Sequence, residues 1–400
     1  MWHRLNQIRA TARKRFRRSV LTRTQDGENP QQKNPAMNRN DSDRVIVSAG
    51  FWEQSWQRFR RRRLSMLALY FIGFLSVIAI FSPMIAGTKP IVCRYKDQLY
   101  FPCMGYYNRN WENPVFQKDR FRRVYPGNLE RKDPDSWAIW PLVYQDPHRP
   151  VRKGEWEAMK GNPWGPEGRP TSQNWFGTYK TGFDVFASMV HGTRIALLVG
   201  FVSTGIAAAI GITLGAVAGY IGGIVDIAIS RLIEVVMCIP ALVLILCLQA
   251  VIDKVSIWNI MMLLGLTGWT GMARLTRGEF LKLKETEFVA AARCLGVGRA
   301  RIMFRHVLPN ALAPVMVPIA FGIAGGIQTE AALSLLGFGA PPPNPSWGTI
   351  LHSGRETLQS GYWWQLVFPG MGIFLTVLAY NLIGEGIQEA TDPRLADPRN

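Results

Sequence analysis

Apolar residues are concentrated in six long stretches of the chain instead of being spread evenly along it. Each stretch is long enough for an α-helix to cross a hydrocarbon core of about 30 Å, and almost no charge lies inside them. They are residues 64–86, 195–219, 232–252, 255–273, 311–337 and 363–384. Because lipid offers no partner for backbone N–H and C=O groups, the pattern predicts an all-α polytopic membrane protein with six transmembrane helices. The alternative is that one or two stretches are buried helices of a soluble domain.

Two polar regions precede the first apolar stretch. Residues 1–50 are rich in Arg, Lys, Asn and Gln with few large apolar side chains, which predicts a disordered basic leader. In 51–63, Trp52, Trp56 and Phe59 share one helical face above a cationic face, which predicts an amphipathic helix in the membrane interface. An ordinary first turn of transmembrane helix one (64–86) is the alternative. No signal-peptide cleavage pattern is present, so 64–86 is expected to stay as an anchor.

The net charge of +18 falls largely in two basic blocks beside apolar stretches. One block runs from Arg58 to Arg63 and the other from Arg274 to Arg305. Basic residues beside membrane helices mark the cytoplasmic side, so both termini are predicted to be cytoplasmic. RNA binding by the leader is the weaker alternative, and we expect lipid and no nucleic acid as the partner of these charges.

This orientation places the long loop 87–193 outside the cytoplasm, where a loop of such length is expected to be functional or partly folded. Cys93 and Cys103 lie in this loop and are the cysteines that meet an oxidising compartment, so a disulfide between them is a hypothesis. The His and Cys residues do not show metal-ligand spacing, and no metal site is predicted.

A cytoplasmic segment, 274–310, joins the fourth and fifth predicted helices. It contains a short helix with a small-residue surface at Ala290, Ala291 and Ala292, and Gly296 is expected to end that helix as a left-handed cap. A second, basic helix follows, which Pro309 is expected to stop.

This segment resembles the coupling loop of ABC-type import permeases, whose pattern is Glu-Ala-Ala, three residues, Gly, and then Leu-Pro about a dozen residues later. The matching positions are Ala290, Ala291, Ala292, Gly296, Leu308 and Pro309. Ala290 stands where the pattern has Glu, so a charged contact there is not expected. The resemblance implies the ABC type I importer permease fold, with residues 284–300 docking in a cleft of a cytoplasmic ATPase. A solvated amphipathic loop is the alternative.

Further motifs narrow the resemblance. Residues 174–186 are similar to the second permease of dipeptide and oligopeptide importers, with matches at Trp175, Gly177, Thr178, Gly182, Asp184, Val185 and Phe186. Tyr179 and Phe183 replace an Asp and an Arg of that pattern. Other matches are the Ile239–Pro240 break in the third predicted helix, 329–337 and 392–395, so the core permease region is placed at 194–395. Lys89–Pro90 and Tyr100–Pro102 resemble the branch that imports microcin-C-like peptide-nucleotides.

The resemblance implies alternating access in the bacterial inner membrane. The implied partners are a homologous second permease, two ATPase subunits or domains, and an extracytoplasmic peptide-binding protein. The chain has no Gly-x-x-x-x-Gly-Lys-Ser/Thr phosphate loop, so ATP and Mg are expected on partner subunits, and the chain is predicted to hold no cofactor and not to be an enzyme. An ion-gradient-driven secondary transporter is the alternative function.

Glu330 is the most informative ionisable residue inside the apolar stretches. A lone carboxylate in a membrane helix is costly and usually faces a cavity or a partner. Two roles stay open for it: lining the translocation path, or serving as a paired structural group between helices.

Overall fold

The computed structural model describes residues 51–108, 133–148, 168–171, 174–252, 256–339 and 344–391, together with Trp111 and Leu129. The predicted leader 1–50, the motif match at 392–395 and part of the loop 87–193 lie outside the described residues.

Ten α-helices account for most of this described part of the chain. They are α1 (Phe51–Arg61), α2 (Arg63–Ile85), α3 (Val185–Ile221), α4 (Gly223–Met237), α5 (Ala241–Ala250), α6 (Ile257–Leu283), α7 (Glu287–Cys294), α8 (Leu308–Leu335), α9 (Trp347–Thr357) and α10 (Trp364–Thr391). A helical turn, Arg299–Arg301, and a π-helical segment, Ile302–Val307, lead directly into α8.

Four helical runs among the described residues are long and apolar enough to cross a membrane, namely α2, α3, Arg299–Leu335 and α10. The pair α4 and α5 makes a fifth if it is one span with an 83° bend. That bend confirms the break predicted at Ile239–Pro240, because a proline has no N–H to continue the helix. The count of six is not confirmed: α6, the helix over the predicted stretch 255–273, carries glycines, threonines and, in its second half, basic residues.

Helix α3 begins well before the predicted start at 195, inside the segment that was assigned to the loop 87–193. The side chain of Asp184 caps it by accepting a hydrogen bond from Ala187 N at 2.7 Å. His191 interrupts the apolar run in the sequence, yet it is buried and its Nε2 hydrogen-bonds Ala86 O at 2.7 Å. The helix therefore continues through a polar residue whose ring is satisfied by a tertiary hydrogen bond.

The segment between α2 and α3 contains a three-stranded antiparallel sheet, so the all-α prediction is wrong in this part. Strands β1 (Val92–Tyr95), β2 (Gln98–Tyr100) and β3 (Trp137–Ile139) pair in the order β2-β1-β3. Lys96 and Asp97 join β1 to β2 with φ of 49° and 61°, the backbone of a two-residue hairpin turn. The segment is tied to the end of α2 by Val143 N, which donates to Ile85 O at 2.8 Å.

The hypothetical disulfide is absent: Cys93 and Cys103 are buried free thiols. Cys103 Sγ lies 3.4 Å from Ile91 O and donates to it. Burial raises the pKa of the Cys93 thiol to about 11. Since the thiolate is the reactive form, burial makes this cysteine a poor partner in thiol exchange.

Helices α3 and α6 pack closely along their length through a glycine stripe, Gly211, Gly215 and Gly219. Small residues at this spacing allow two helix backbones to approach each other. At the other end of α3, the matched motif 174–186 forms a turn with φ of 75° at Gly177 and 91° at Gly182. Trp364 Nε1 at the start of α10 donates to Thr178 O at 3.0 Å, so this motif holds α3 against α10.

Candidate functional site

The end of α7 has the predicted geometry. Gly296 has φ of 74°, its N–H donates to Arg293 O at 3.0 Å, and Val297 N donates to Ala292 O at 3.1 Å. This pair of bonds is a Schellman motif, with glycine at its left-handed position. A Cβ at Gly296 would meet nothing within 4 Å, so the backbone angle and not lack of space calls for glycine. The left-handed cap is confirmed.

Helix α7 has one buried face and one exposed face. Val289 and Ala292 are buried, whereas Ala290 and Ala291 are exposed. The predicted single surface of three alanines is therefore wrong for Ala292, because successive helical residues point in directions about 100° apart. The exposed face also carries apolar side chains, namely Phe288, Cys294 and Leu295, the last of which is 83% exposed.

The buried face of α7 belongs to a hydrophobic group, here called the coupling cluster. Its buried members are Ala216 of α3, Phe280 of α6, Val289 and Ala292 of α7, Ile302 and Val307 of the π-helical segment, and Ala311 of α8. One short helix thus shares a hydrophobic cluster with residues near the ends of three long helices. The sequence reasoning missed Val289 as an anchor, although its i, i+3 spacing to Ala292 is a signal that indicates an inward face.

The predicted stop at Pro309 is wrong. The chain is helical from Arg299 through Leu335, and Pro309 lies at the beginning of α8, exposed, beside the half-buried Leu308. The π-helical segment Ile302–Val307 comes directly before it. A proline lacks the N–H for an α-helical bond and crowds the carbonyl four residues earlier, and a widened π turn accommodates this. The coupling cluster is therefore joined to α8 by continuous helix.

Glu330 lies inside the protein, near a cavity at the far end of α8. The cavity has a volume of about 700 Å³ and is lined by polar and aromatic residues that include Ser188, Gln249, Ser334, Phe338, Thr349 and His352. Glu330 is 1% exposed, and Ser334 Oγ donates to its Oε1 at 2.7 Å. The Ser346 hydroxyl is a further hydrogen-bond partner. This geometry favours the paired structural role for Glu330, one hydrogen bond behind the cavity wall.

An ion pair that the sequence did not reveal ties α4 to α6 near the coupling cluster. Arg277 Nη2 donates to Asp226 Oδ2 at 2.8 Å, and Arg277 Nε donates to Asp226 Oδ1. Such a two-point contact fixes orientation as well as distance. In the described part of the chain, no group of three or more metal-ligating side chains comes together.

Comparisons with known proteins identify the family. Residues 211–397 match the family described as "Binding-protein-dependent transport system inner membrane component", and residues 50–101 match the "N-terminal TM domain of oligopeptide transport permease C". The chain is 31% identical over 358 residues to the "Peptidoglycan transport system permease protein YejE" of Agrobacterium fabrum, covering 86% of this chain and 93% of that protein. The chain belongs to the inner-membrane permeases of binding-protein-dependent ABC importers.

Other permeases of this family match over shorter or similar lengths. The "Inner membrane ABC transporter permease protein YejE" of Escherichia coli is 32% identical, over 85% of this chain and 96% of that protein. The "Dipeptide transport system permease protein DppC" of Bacillus subtilis is 39% identical, over 56% and 70%. A solved MetNI methionine ABC transporter chain aligns with 52% of this chain and 98% of its own length, at 19% identity and a TM-score of 0.42.

Membership in this family shows which subunits hydrolyse ATP. In these importers the permease is the membrane component, and separate ATPase subunits hydrolyse ATP. The chain is accordingly a transport subunit and not the ATPase. The ion-gradient-driven alternative has no support from these relatives.

Proposed function

We propose that the chain is one of two permease subunits of an ATP-driven importer that moves peptides or peptide conjugates across the bacterial inner membrane. The relatives named for dipeptide, oligopeptide and peptidoglycan transport support a cargo with peptide bonds. The two YejE alignments span 85–86% of this chain, against 56% for the DppC and OppC alignments, which supports the branch that carries microcin-C-like peptide-nucleotides. The proposed fold is the type I arrangement of six crossings with both termini in the cytoplasm.

The exposed face of α7 is the proposed docking site for the ATPase. The side chains at the centre of this face, Ala290 and Ala291, are small and apolar, and those at its edges, Phe288 and Leu295, are large and apolar. Its other face is buried in the coupling cluster. A solvated loop, the alternative, needs no such inward anchor. When ATP closes the two ATPases, the force on α7 is passed through the cluster to α3, α6 and α8, and the path opens outward for alternating access.

The α4–α5 arm is the proposed contact with the second permease. Within this arm only Ile233, Ile245 and Gln249 are buried. Large apolar side chains elsewhere on it are exposed, for example Ile224 at 85% and Val235 at 64%. An exposed apolar surface of this extent indicates a protein or lipid contact. A homologous permease on this arm would complete a path of which one chain supplies half.

The 700 Å³ cavity is the proposed entry side for cargo. It lies at the opposite end of α8 from the coupling cluster, about 40 Å away along a helix of 28 residues. If α7 faces the cytoplasm, the cavity faces the compartment of the peptide-binding protein. Its volume is within the range of roughly 300–1,000 Å³ that small-molecule sites occupy, and its walls mix hydroxyl, amide and aromatic groups.

The coupling role of α7 is tested by Ala291→Trp in the complete transporter, with the second permease, ATPases and binding protein present. Ala291 is exposed, so the added bulk leaves the fold intact and obstructs docking. We expect peptide uptake to fall by roughly tenfold or more, since a loss of about 1.4 kcal/mol of docking energy has that effect. Gln388→Trp, at an exposed position near the end of α10, is the matched control and should transport normally.

A second measurement separates docking from stability. Cys294 is exposed beside Ala291, so a thiol crosslinker should join the unaltered chain to an ATPase subunit, and Cys294→Ser should remove the product. Normal uptake by Ala291→Trp, or labelling of Cys294 by an impermeant reagent added outside the membrane, would contradict the assignment.

The identity of the cargo is tested by whether peptide-loaded binding protein stimulates ATP hydrolysis more than unloaded protein does. Equal stimulation would contradict peptide transport.

A further inference from the structure

A narrow apolar groove lies between α1 and the long helices. It has a volume of about 220 Å³. Its walls include Trp52, Trp56 and Phe59 of α1, Met316 of α8, and Ile383 and Ile387 of α10. The polar side-chain groups of the lining residues are the hydroxyls of Ser55 and Thr391 and the indole N–H groups of Trp52 and Trp56, and the Thr391 hydroxyl already donates to Ile387 O at 2.8 Å. A peptide backbone placed here would lose hydrogen bonds to water without replacing them, whereas a hydrocarbon chain would not.

Contacts within the chain hold the junction of α1 and α2 against α10 beside this groove. Arg62 bonds two carboxylates of α10, Glu385 at 3.3 Å and Glu389 at 3.0 Å. Ser65 Oγ donates to Leu382 O at 2.8 Å. Phe59 is 6% exposed, so α1 is anchored on α10 by both apolar and charged contacts. The size of the groove is below the roughly 300–1,000 Å³ of sites that enclose a compact ligand, which suits a slender chain.

Exposed positive charge follows the groove-lining residues of α1 directly in the sequence. Arg60, Arg61 and Arg63 are exposed where α1 meets α2, and none of them forms an ion pair with a described acidic residue. Trp52 and Trp56 are half-exposed at the same end of the protein, as expected for aromatic residues at a membrane interface. An apolar slot whose α1 wall continues into three exposed guanidinium groups is complementary to a molecule with a hydrocarbon chain and a phosphate group.

We propose that this groove binds one anionic phospholipid, with an acyl chain lying between α1, α8 and α10 and the phosphate on Arg60, Arg61 and Arg63. Met316 belongs to the same helix as Ala311 of the coupling cluster. A bound chain therefore touches the helix that carries force from the ATPases. The inference does not depend on which cargo the transporter moves, and its test measures bound lipid instead of uptake.

The headgroup contact is tested on the full chain purified with its partner subunits in mild detergent. The complex is incubated with equal amounts of phosphatidylglycerol and phosphatidylethanolamine with identical acyl chains, and retained lipid is quantified by mass spectrometry. We expect preferential retention of phosphatidylglycerol. The triple variant R60Q/R61Q/R63Q should weaken that retention by about fivefold per arginine, or roughly a hundredfold in all. The control R15Q/R17Q/R18Q removes the same charge from the leader and should retain the lipid.

The acyl-chain contact is tested separately by filling the groove. Ile387→Trp should lower the retention of both lipids while the arginines stay in place, and Ile80→Trp, at an exposed position of α2, should not. Equal retention of the two lipids by the unaltered complex would overturn the proposal. So would undiminished retention by R60Q/R61Q/R63Q, or an equal loss in the leader variant, which would assign the lipid to the leader.

Discussion

Replacing Gly215 with alanine tests how closely α3 packs on α6. A Cβ added at Gly211 would lie 2.7 Å from Trp269 O, and one added at Gly219 would lie 2.6 Å from Phe280 Cβ. At Gly215 the nearest atom is Ala273 O, which is closer still. Real Cβ atoms essentially never approach other atoms within 3.0 Å, so alanine at Gly215 forces the two helices apart.

The expected change in the free energy of unfolding follows from two opposing effects. Overpacking a close contact costs about 1–3 kcal/mol, and here the obstacle is a backbone carbonyl that moves only with its helix. Exchanging glycine for alanine inside a helix contributes a gain of about 1 kcal/mol. Gly205 lies in the same helix with nothing within 4 Å of an added Cβ, so Gly205→Ala has the gain without the cost. We expect the two variants to differ by about 1–3 kcal/mol in free energy of unfolding.

Thermal unfolding of the two purified full-length variants in the same detergent measures this difference. Gly215→Ala should unfold at or below the temperature of the unaltered chain, with a net loss of up to about 2 kcal/mol, and Gly205→Ala at or above that temperature. Ala216 and Phe280 of the coupling cluster adjoin this contact, so uptake by Gly215→Ala should also fall. Equal unfolding temperatures for the two alanine variants would show that the proximity of α3 and α6 described above is wrong.

Two more predictions concern buried carboxyl groups. Burial raises the pKa of Asp184 from 3.8 to about 7, so its stabilising contribution is present below about pH 4 and is lost as the pH rises to about 7. Asp184→Asn keeps the helix cap and should remove this pH dependence. The effect on the free energy of unfolding is at most about 1.4 kcal/mol per pH unit. Unfolding measured across this pH range would contradict the prediction if the two chains lost stability in parallel. Glu330→Gln keeps an acceptor for the Ser334 hydroxyl, so we expect near-normal uptake, whereas a carboxylate needed in the path would give loss of uptake.

The prediction of membrane helices succeeded where it depended on local properties. The lengths of the apolar stretches located α2, α8 and α10, and the proline at 240 located the bend between α4 and α5. The prediction of the cap at Gly296 also depended on a local property, because a left-handed backbone favours glycine whatever residues surround it. The spaced Ala-Ala-Ala, Gly and Leu-Pro pattern led to the right family for a similar reason: its residues are close in sequence.

The errors arose where distant residues decide the outcome. The first turns of α3 contain His191, which is buried against Ala86 O although the two residues are 105 positions apart, and hydropathy read along the chain contains no information on that pair. The third strand was missed because β3 pairs with β1 across a long separation in the sequence. Pro309 was expected to stop a helix, but the π-helical segment before it absorbs the distortion.

The sequence by itself determined that this protein spans a membrane, that a helix breaks at Pro240, that α7 is capped at Gly296, and to which family the chain belongs, because each depends on residue type and short spacing. Only the tertiary structure decided that Ala292 faces inward while Ala291 faces outward, that Glu330 is paired with Ser334, and that α1 forms a groove with α8 and α10. These features depend on which helices pack together and on how each helix is rotated about its own axis. Apolar stretches of the same length are compatible with many such rotations, so their length alone does not decide which side chains face each other.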